Sequence, residues 1–283
     1  MQNGDTLPLK HIAAQHGPIA YNEQGQGQPI ILIHGSACDL RIWQPLSPRL
    51  AEHFRVIAYS RRQHWPVTGP FQEYSFFDDV EDLLSLIRHL GIESAHLVAH
   101  SSGSLPALAF ALRYPEMVSS LVLFDPNADV LSGATAVEIA AERHNWLDPV
   151  RNSLIHGDDQ HAANHLLAPL ARSTVPEWFA SMISDNLAAL HRQFTTSTRV
   201  PQTTADELRR ISAPVLILEG EESPQFFKVV NAAISCCIEG SRRETVPHCG
   251  HLFQLDAPLP VADRVLHFIG EHKQEANLYR KDR

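Results

Sequence analysis

Ala99-His100-Ser101-Ser102-Gly103 is the stretch that organises the reading of this chain. It follows a short apolar run, Ala95-His96-Leu97-Val98, and leads into a helix-like run from Leu105 to Tyr114. Small-x-Ser-x-Gly between a strand and a helix is the pattern of a nucleophile elbow. The turn is so sharp that the residues two before and two after the serine must be small. In return, the serine oxygen stands clear of the sheet, beside a helix N-terminus that favours negative charge. Ser101 is the residue at the apex. Placing Ser102 there would put His100 where a small residue is needed. Ala99 stands where the pattern usually has glycine, and Pro106 is tolerable only within the first helical turn.

Outward from the elbow, apolar runs alternate with amphipathic ones, which predicts a mostly parallel sheet with crossover helices. Ile30 to Ile33, Val56 to Tyr59, Ala95 to Ala99, Leu121 to Phe124 and Val215 to Leu218 read as strands covered on both faces. Ser75 to Leu90 reads as a helix, with Ser75 and Asp78 as a capping box, an apolar face of Val80, Leu83, Leu84 and Ile87, and Gly91 as the stop. The segment through Ile12 and Ile19 to Tyr21 predicts an antiparallel hairpin at the sheet edge. From about Ala128 to Leu208 no strand is evident. Thr135 to Trp146, His161 to Leu170 and Trp178 to Gln193 read as helices, punctuated by Pro149, Pro169, Pro176 and Pro201. The expected organisation is an α/β core of residues 1-127 and 209-283 with a helical cap, 128-208, lying over the strand ends as a lid.

Composition narrows the function classes. A chain of 283 residues with 44% apolar content can bury a sizeable core. A formal net charge of -9 without a basic run argues against nucleic acid as a partner. No stretch approaches a membrane span, and Met1 to Asp5 lacks the basic and apolar regions of a signal peptide. Cys38, Cys236, Cys237 and Cys249 are spaced neither as a zinc site nor as a disulfide framework. These features predict a cytoplasmic enzyme rather than a nucleic-acid-binding or membrane protein.

Attack of serine on a carbonyl needs a base, an acid to orient the base, and donors for the oxyanion. His34-Gly35-Ser36, directly after a buried strand, supplies an oxyanion loop. The donors it nominates are the backbone N–H groups of Ser36 and of Ser102, the residue after the nucleophile. The base candidate is His251, in Val246-Pro247-His248-Cys249-Gly250-His251. His248 competes, but Gly250 before it and Leu252-Phe253 after it favour His251. A neutral imidazole near pH 7 is what a general base requires.

Taken jointly and in order, these motifs resemble the α/β-hydrolase superfamily, in its cap-bearing esterase, lactonase and C–C hydrolase branch. Ile30-Ile31-Leu32-Ile33-His34-Gly35 looks like the oxyanion strand and loop, His96 to Gly103 like the elbow, and Tyr114 to Pro126 like the next helix end and strand. Ala213 to Gly220 and Gly250-His251 look like the late strand and base loop. The resemblance covers nearly the whole chain and implies an α/β-hydrolase fold. It departs from the family pattern in three places. Ala99 replaces glycine. Ser60-Arg61-Arg62-Gln63-His64 stands where an Asp-x-Arg-Gly-x-Gly loop is usual. Ser223, followed by Pro224, occupies the place of the usual triad aspartate and reads instead as a helix cap. Some members carry the acid after the strand that follows the elbow helix, and that place holds Asp125. Glu222 is its main rival and Glu221 the next.

The resemblance implies cleavage of a carboxylic ester or lactone of a small, largely apolar molecule through an acyl-enzyme, without a cofactor or a metal, by a monomer or homodimer. Ser101, His251 and Asp125 form the triad, and the amides of Ser36 and Ser102 form the oxyanion hole. A C–C bond hydrolase on a diketone-type substrate shares the same residues, and a ligand-binding or inactive homologue is the reading from another class. Among weaker signals, His156, Asp158, His161 and His165 read as a solvated surface rather than a metal site. Cys249 reads as a small buried filler, and Trp178, Phe179 and Met182 as either pocket wall or cap core.

Overall fold

Alternate side chains of the apolar runs point to opposite faces, and each face finds its own cover. In the computed structural model, which describes residues 7–14, 17–67, 75–128, 131, 133–195 and 203–281, the runs form one eight-stranded sheet. Met1 to Asp5 and Pro201 lie outside the described residues. The strands are β1 (Lys10–Ala14), β2 (Gly17–Gln24), β3 (Pro29–Ile33), β4 (Arg55–Tyr59), β5 (Ala95–His100), β6 (Val118–Phe124), β7 (Val215–Gly220) and β8 (Arg242–Val246), in the order β1-β2-β4-β3-β5-β6-β7-β8. β1, β2 and β4 pair antiparallel, with Ile12 opposite Ile19 in the edge hairpin. From β4 to β8 all pairs are parallel.

The helices preceding β6 are α1 (Ser47–Ala51), α2 (Phe76–His89) and α3 (Ser104–Arg113). Between β6 and β7 come α4 (Gly133–Ile155), α5 (Asp159–Leu167), α6 (Glu177–Asp185), α7 (Leu187–Thr195) and α8 (Ala205–Leu208). After β7 follow α9 (Gln225–Cys237), α10 (Phe253–Asp256) and α11 (Pro258–Lys281). Ile31, Ile33, Leu97, Leu121 and Ile217 pack against α2 and α3 through Val80, Leu83, Ile87, Leu108 and Phe110. Ile30, Leu32, Val98, Val122 and Leu216 face the other way, towards Val261, Val265 and Phe268 of α11. Ser75 caps α2 and closes the capping box with Asp78, as its spacing predicts.

The helical stretch between β6 and β7 differs in detail from its sequence reading. The helix expected to end near Trp146 runs through Pro149 to Ile155. Proline removes one backbone donor, and the fully buried Val150 and Leu154 carry the helix past it. The run from Trp178 to Gln193 is two helices, α6 and α7, separated at Asn186. Its amide turns into the core instead, donating to Asp39 Oδ2 at 2.7 Å and accepting the Trp65 N–H at 2.8 Å. That exchange, with the Arg41–Asp185 ion pair at 2.8 Å, fastens these helices to the loops at the C-terminal strand ends. No helix among the described residues is long and apolar enough to cross a membrane.

Candidate active site

Parallel strands deliver side chains to one rim, and β3, β5, β6, β7 and β8 all end beside a single cavity of about 450 Å³. Ser101 follows β5 with a φ of 53°, the left-handed conformation that a sharp strand-to-helix turn demands. A non-glycine residue held there costs about 1–3 kcal/mol, so packing must enforce it. Gly103 shows how: a Cβ built on it would lie 2.4 Å from the His34 carbonyl oxygen and 2.7 Å from that of Ile33. The elbow is pressed onto the end of β3 through this glycine. Across the same seam, a Cβ on Gly35 would meet the Ser101 Cβ at 3.0 Å. Ala99 lies fully buried within β5, packed with the α2 and α3 side, where its methyl group fits. Pro106 falls in the first turn of α3. Ser104 Oγ donates to the Ser101 carbonyl at 2.6 Å and accepts the Asn127 N–H at 2.8 Å, which ties the elbow to the loop after β6.

That loop begins with Asp125, fully buried at a φ of 40°. His251 Nδ1 donates to Asp125 Oδ2 at 3.1 Å, which leaves Nε2 as the lone-pair nitrogen. The imidazole is stacked on Phe227, with ring centroids 4.0 Å apart and 15° between planes. On its other flank is His100, whose Nε2 donates to the His251 carbonyl at 2.9 Å. Burial pushes the His251 imidazole down to about 3, so it is neutral in the resting site. Burial pushes the Asp125 carboxyl up to about 6, against the pull of its hydrogen bonds with Ser223 and Asn231.

Those two donors correct the reading of Ser223. It does not cap α9; Pro224 holds the N-cap position and no side chain caps the helix. The Ser223 hydroxyl donates to Asp125 Oδ2 at 2.5 Å, because the end of β7 faces the end of β6 and a buried carboxylate there needs donors. Asn231 Nδ2 adds 3.0 Å to Asp125 Oδ1 and 3.3 Å to Glu219 Oε2. The rival acids lie elsewhere. Glu222 makes a two-pronged pair with Arg172, both bonds 2.7 Å, and Glu221 accepts the His248 N–H at 2.8 Å. His248 is 88% exposed and does not line the cavity.

The side of Ser101 nominated for the oxyanion is built on a cation. Arg61, 1% exposed, gives Nε and Nη2 to Asp79 Oδ2 at 3.0 and 2.8 Å. Its Nη1 reaches the His34 carbonyl at 3.3 Å and Ser102 Oγ at 3.2 Å, and its N–H donates to His34 Nε2 at 2.9 Å. His34 Nδ1 then donates to the Gly35 carbonyl at 2.8 Å. Ser36 Oγ donates to Ser102 Oγ at 2.9 Å and accepts from Gln193 Nε2 of α7 at 2.9 Å. Arg62 pairs with Asp82 through two bonds, and Gln63 adopts a φ of 66° where the Asp-x-Arg-Gly-x-Gly pattern has its first glycine. Sequence reading singled out this segment only as a departure; its neighbours Asp79 and Gln193 carry no local signal.

Ser101, His251, Ser36 and Ser102 thus line one cavity, and Asp125 touches His251 from behind it. Leu147, Leu167, Phe179 and Phe194 of the helical stretch close the far side, with Arg143 and Arg151 in the same wall. Of the three aromatic and methionine candidates, Phe179 lines the cavity, whereas Met182 is fully buried behind it. Asp158 and His161 pair at the exposed start of α5. Cys249 is buried, and burial pushes its thiol up.

This arrangement agrees with comparison to known proteins: a profile described as alpha/beta hydrolase fold matches residues 28–258. The chain belongs to the α/β-hydrolase family. It is 22% identical to the (E)-2-((N-methylformamido)methylene)succinate hydrolase of Acinetobacter baylyi, over 89% of this chain and 93% of that protein. It is 25% identical to the 2-hydroxy-6-oxo-6-(2'-aminophenyl)hexa-2,4-dienoic acid hydrolase of Metapseudomonas resinovorans, over 88% and 86%. The enol-lactonase from Burkholderia xenovorans shares the fold with a TM-score of 0.76 at 18% identity, over 92% of this chain and all of that one.

Proposed function

We propose that this α/β hydrolase is a serine hydrolase that cleaves a carboxylic ester or lactone of a small molecule through an acyl-enzyme. The observation that carries this reading is the pairing of His251 Nδ1 with buried Asp125 at 3.1 Å, beside an elbow serine held at a φ of 53° on the same cavity. Ser101 Oγ attacks the carbonyl carbon, and its proton passes to His251 Nε2. Asp125 stabilises the imidazolium that forms. The backbone N–H groups of Ser36 and Ser102 receive the carbonyl oxygen as it takes up the π electron pair. His251 then returns the proton to the leaving alcohol, and water repeats the sequence to release the acid. None of these steps calls on a cofactor. Residues 128-208 serve as the cap that closes over the substrate.

Cleavage of a C–C bond next to a ketone is the second reading, with the same triad. The name of one relative that matches over most of the chain, a 2-hydroxy-6-oxo dienoic acid hydrolase, favours it, because that substrate carries a ketone and no ester. Under either reading the two guanidiniums in the cavity wall, Arg143 and Arg151, the latter also held by Asp148 and the Phe194 carbonyl at 2.9 Å each, favour a substrate that carries a carboxylate.

The test is to incubate the full chain with a fluorophosphonate and with short p-nitrophenyl esters. The expected result is covalent labelling at Ser101 with burst kinetics, both lost in Ser101→Ala. Folded protein that takes no label overturns the reading. A panel of carboxylated esters, lactones and dienoates, compared by kcat/KM, then separates the two reactions.

A further inference from the structure

Among the described residues, the Ser102 hydroxyl has one hydrogen-bonding capacity left over. A serine oxygen offers two lone pairs and one proton. Here both lone pairs are occupied, one by Ser36 Oγ–H at 2.9 Å and the other by Arg61 Nη1–H at 3.2 Å. Among the described residues no hydrogen bond leads outward from the Ser102 proton, although Ser102 is only 3% exposed. A buried O–H without an acceptor costs free energy. Ser102 lines the cavity, immediately after Ser101.

The bonds entering Ser102 all run the same way. Gln193 donates to Ser36, Ser36 donates to Ser102, and Arg61 donates to Ser102 as a cation fixed by Asp79. A hydroxyl that accepts hydrogen bonds, one of them from a charged group, becomes a stronger donor. We infer that the Ser102 side chain is a third donor to the oxyanion, acting beside the backbone N–H groups of Ser36 and of Ser102 itself. As the Ser101 Oγ–carbon bond forms and the carbonyl π pair moves onto oxygen, the Ser102 O–H turns its hydrogen bond onto that oxygen. No proton leaves Ser102; the one proton transferred goes from Ser101 to His251. This inference rests on Ser101 being the nucleophile.

The experiment compares wild type with Ser102→Ala and Ser102→Cys in the full chain, using the best ester of the panel and a trifluoromethyl ketone analogue, whose adduct carries the oxyanion. Removing an oxyanion donor costs about 10²–10³ in rate where it is one of the principal pair. For an added third donor, Ser102→Ala is expected to lower kcat by about 10- to 100-fold, leave KM within about twofold, and weaken ketone inhibition by the same factor as kcat/KM. Ser102→Cys, a poorer donor of similar size, should fall between the two, and it carries the test if the alanine variant does not fold. A kcat and a ketone affinity within about twofold of wild type overturn the inference. So does a loss confined to KM or to the melting temperature, which would mark Ser102 as an anchor for Arg61 alone. Absence of label at Ser101 in the wild type defeats the hydrolase reading instead, and the two failures are distinct.

Discussion

Two polar networks flank Ser101, and they are built on opposite charges. On one side a buried carboxylate, Asp125, gathers neutral donors from Ser223 and Asn231 and points at His251. On the other a buried guanidinium, Arg61, is neutralised by Asp79 and reaches Ser102 Oγ and the His34 carbonyl through Nη1. The acid side keeps an uncompensated negative charge, which suits it to receive an imidazolium. The oxyanion side carries no net charge but aligned donors, which suits it to receive a negative oxygen. A buried ion pair is a poor source of stability, since its desolvation cost rivals its attraction; here it fixes the Arg61 guanidinium beside Ser102. The sides also differ in what completes them. The acid side closes with residues of the α/β core alone, whereas the oxyanion side recruits Gln193 from α7.

The sharpest way to break this contrast is to remove the charge from the acid side while keeping its shape. Asp125→Asn should lower kcat by about 10⁴-fold, because an amide can present an N–H to His251 Nδ1 and favour the wrong tautomer. Steady-state kinetics on the best ester of the panel read the effect directly. A loss of less than about tenfold would mean that the buried carboxylate does not drive the imidazole.

The two sides were not equally legible in the sequence. The fold followed from the alternation of apolar runs, because strands covered on both faces leave a continuous signature. The acid side could be argued from one local conflict, a serine where the family pattern has aspartate and an aspartate after Phe124. Even there, Ser223 read as a helix cap, since nothing local shows that β6 and β7 end side by side. The oxyanion side was legible only as far as its backbone. Arg61 to Asp79, Ser36 to Ser102 and Gln193 to Ser36 join residues 18, 66 and 157 positions apart. No periodicity records such contacts. The break between α6 and α7 escaped for the same reason, as Asn186 leaves the helix for a partner, Asp39, 147 residues away.

A gentler perturbation tunes the acid side without removing it. Ser223→Ala deletes a donor that holds the Asp125 carboxyl down, while burial holds it up at about 6. The proposed triad needs that carboxyl ionised, so kcat/KM should fall as pH drops through about 6, and the variant's acidic limb should lie higher. The loss should be larger at pH 6 than at pH 8. Melting temperature is the wrong readout. The raised carboxyl pKa means Asp125 takes up a proton on folding between about pH 4 and 6, and this contribution favours the fold as pH falls. The lowered pKa of His251 has the opposite sign over an overlapping range, its contribution being lost as pH falls. A pH–rate profile separates them, and an unshifted limb would show that Ser223 does not tune the pair.

The smallest effect should come from Glu222, the carboxylate closest in sequence to the usual acid position. Its side chain is 45% exposed and is engaged by Arg172, whose Nη1 also reaches the His248 carbonyl at 2.6 Å. Arg172 lies across Gly250, where a Cβ would come within 3.0 Å of its Cγ, so the pair covers the loop that carries His251 without touching the imidazole. Exposed pairs of this kind contribute little to stability, because solvent screens them. Glu222→Gln keeps one hydrogen bond to Arg172 and should leave kcat/KM within about twofold, with a melting temperature lowered by no more than about 2–4 °C. The comparison with Asp125→Asn is the decisive one. If Glu222→Gln abolished turnover while Asp125→Asn kept it, the anion that orients His251 would belong to the surface beside Arg172, and the charge contrast across Ser101 would have to be redrawn.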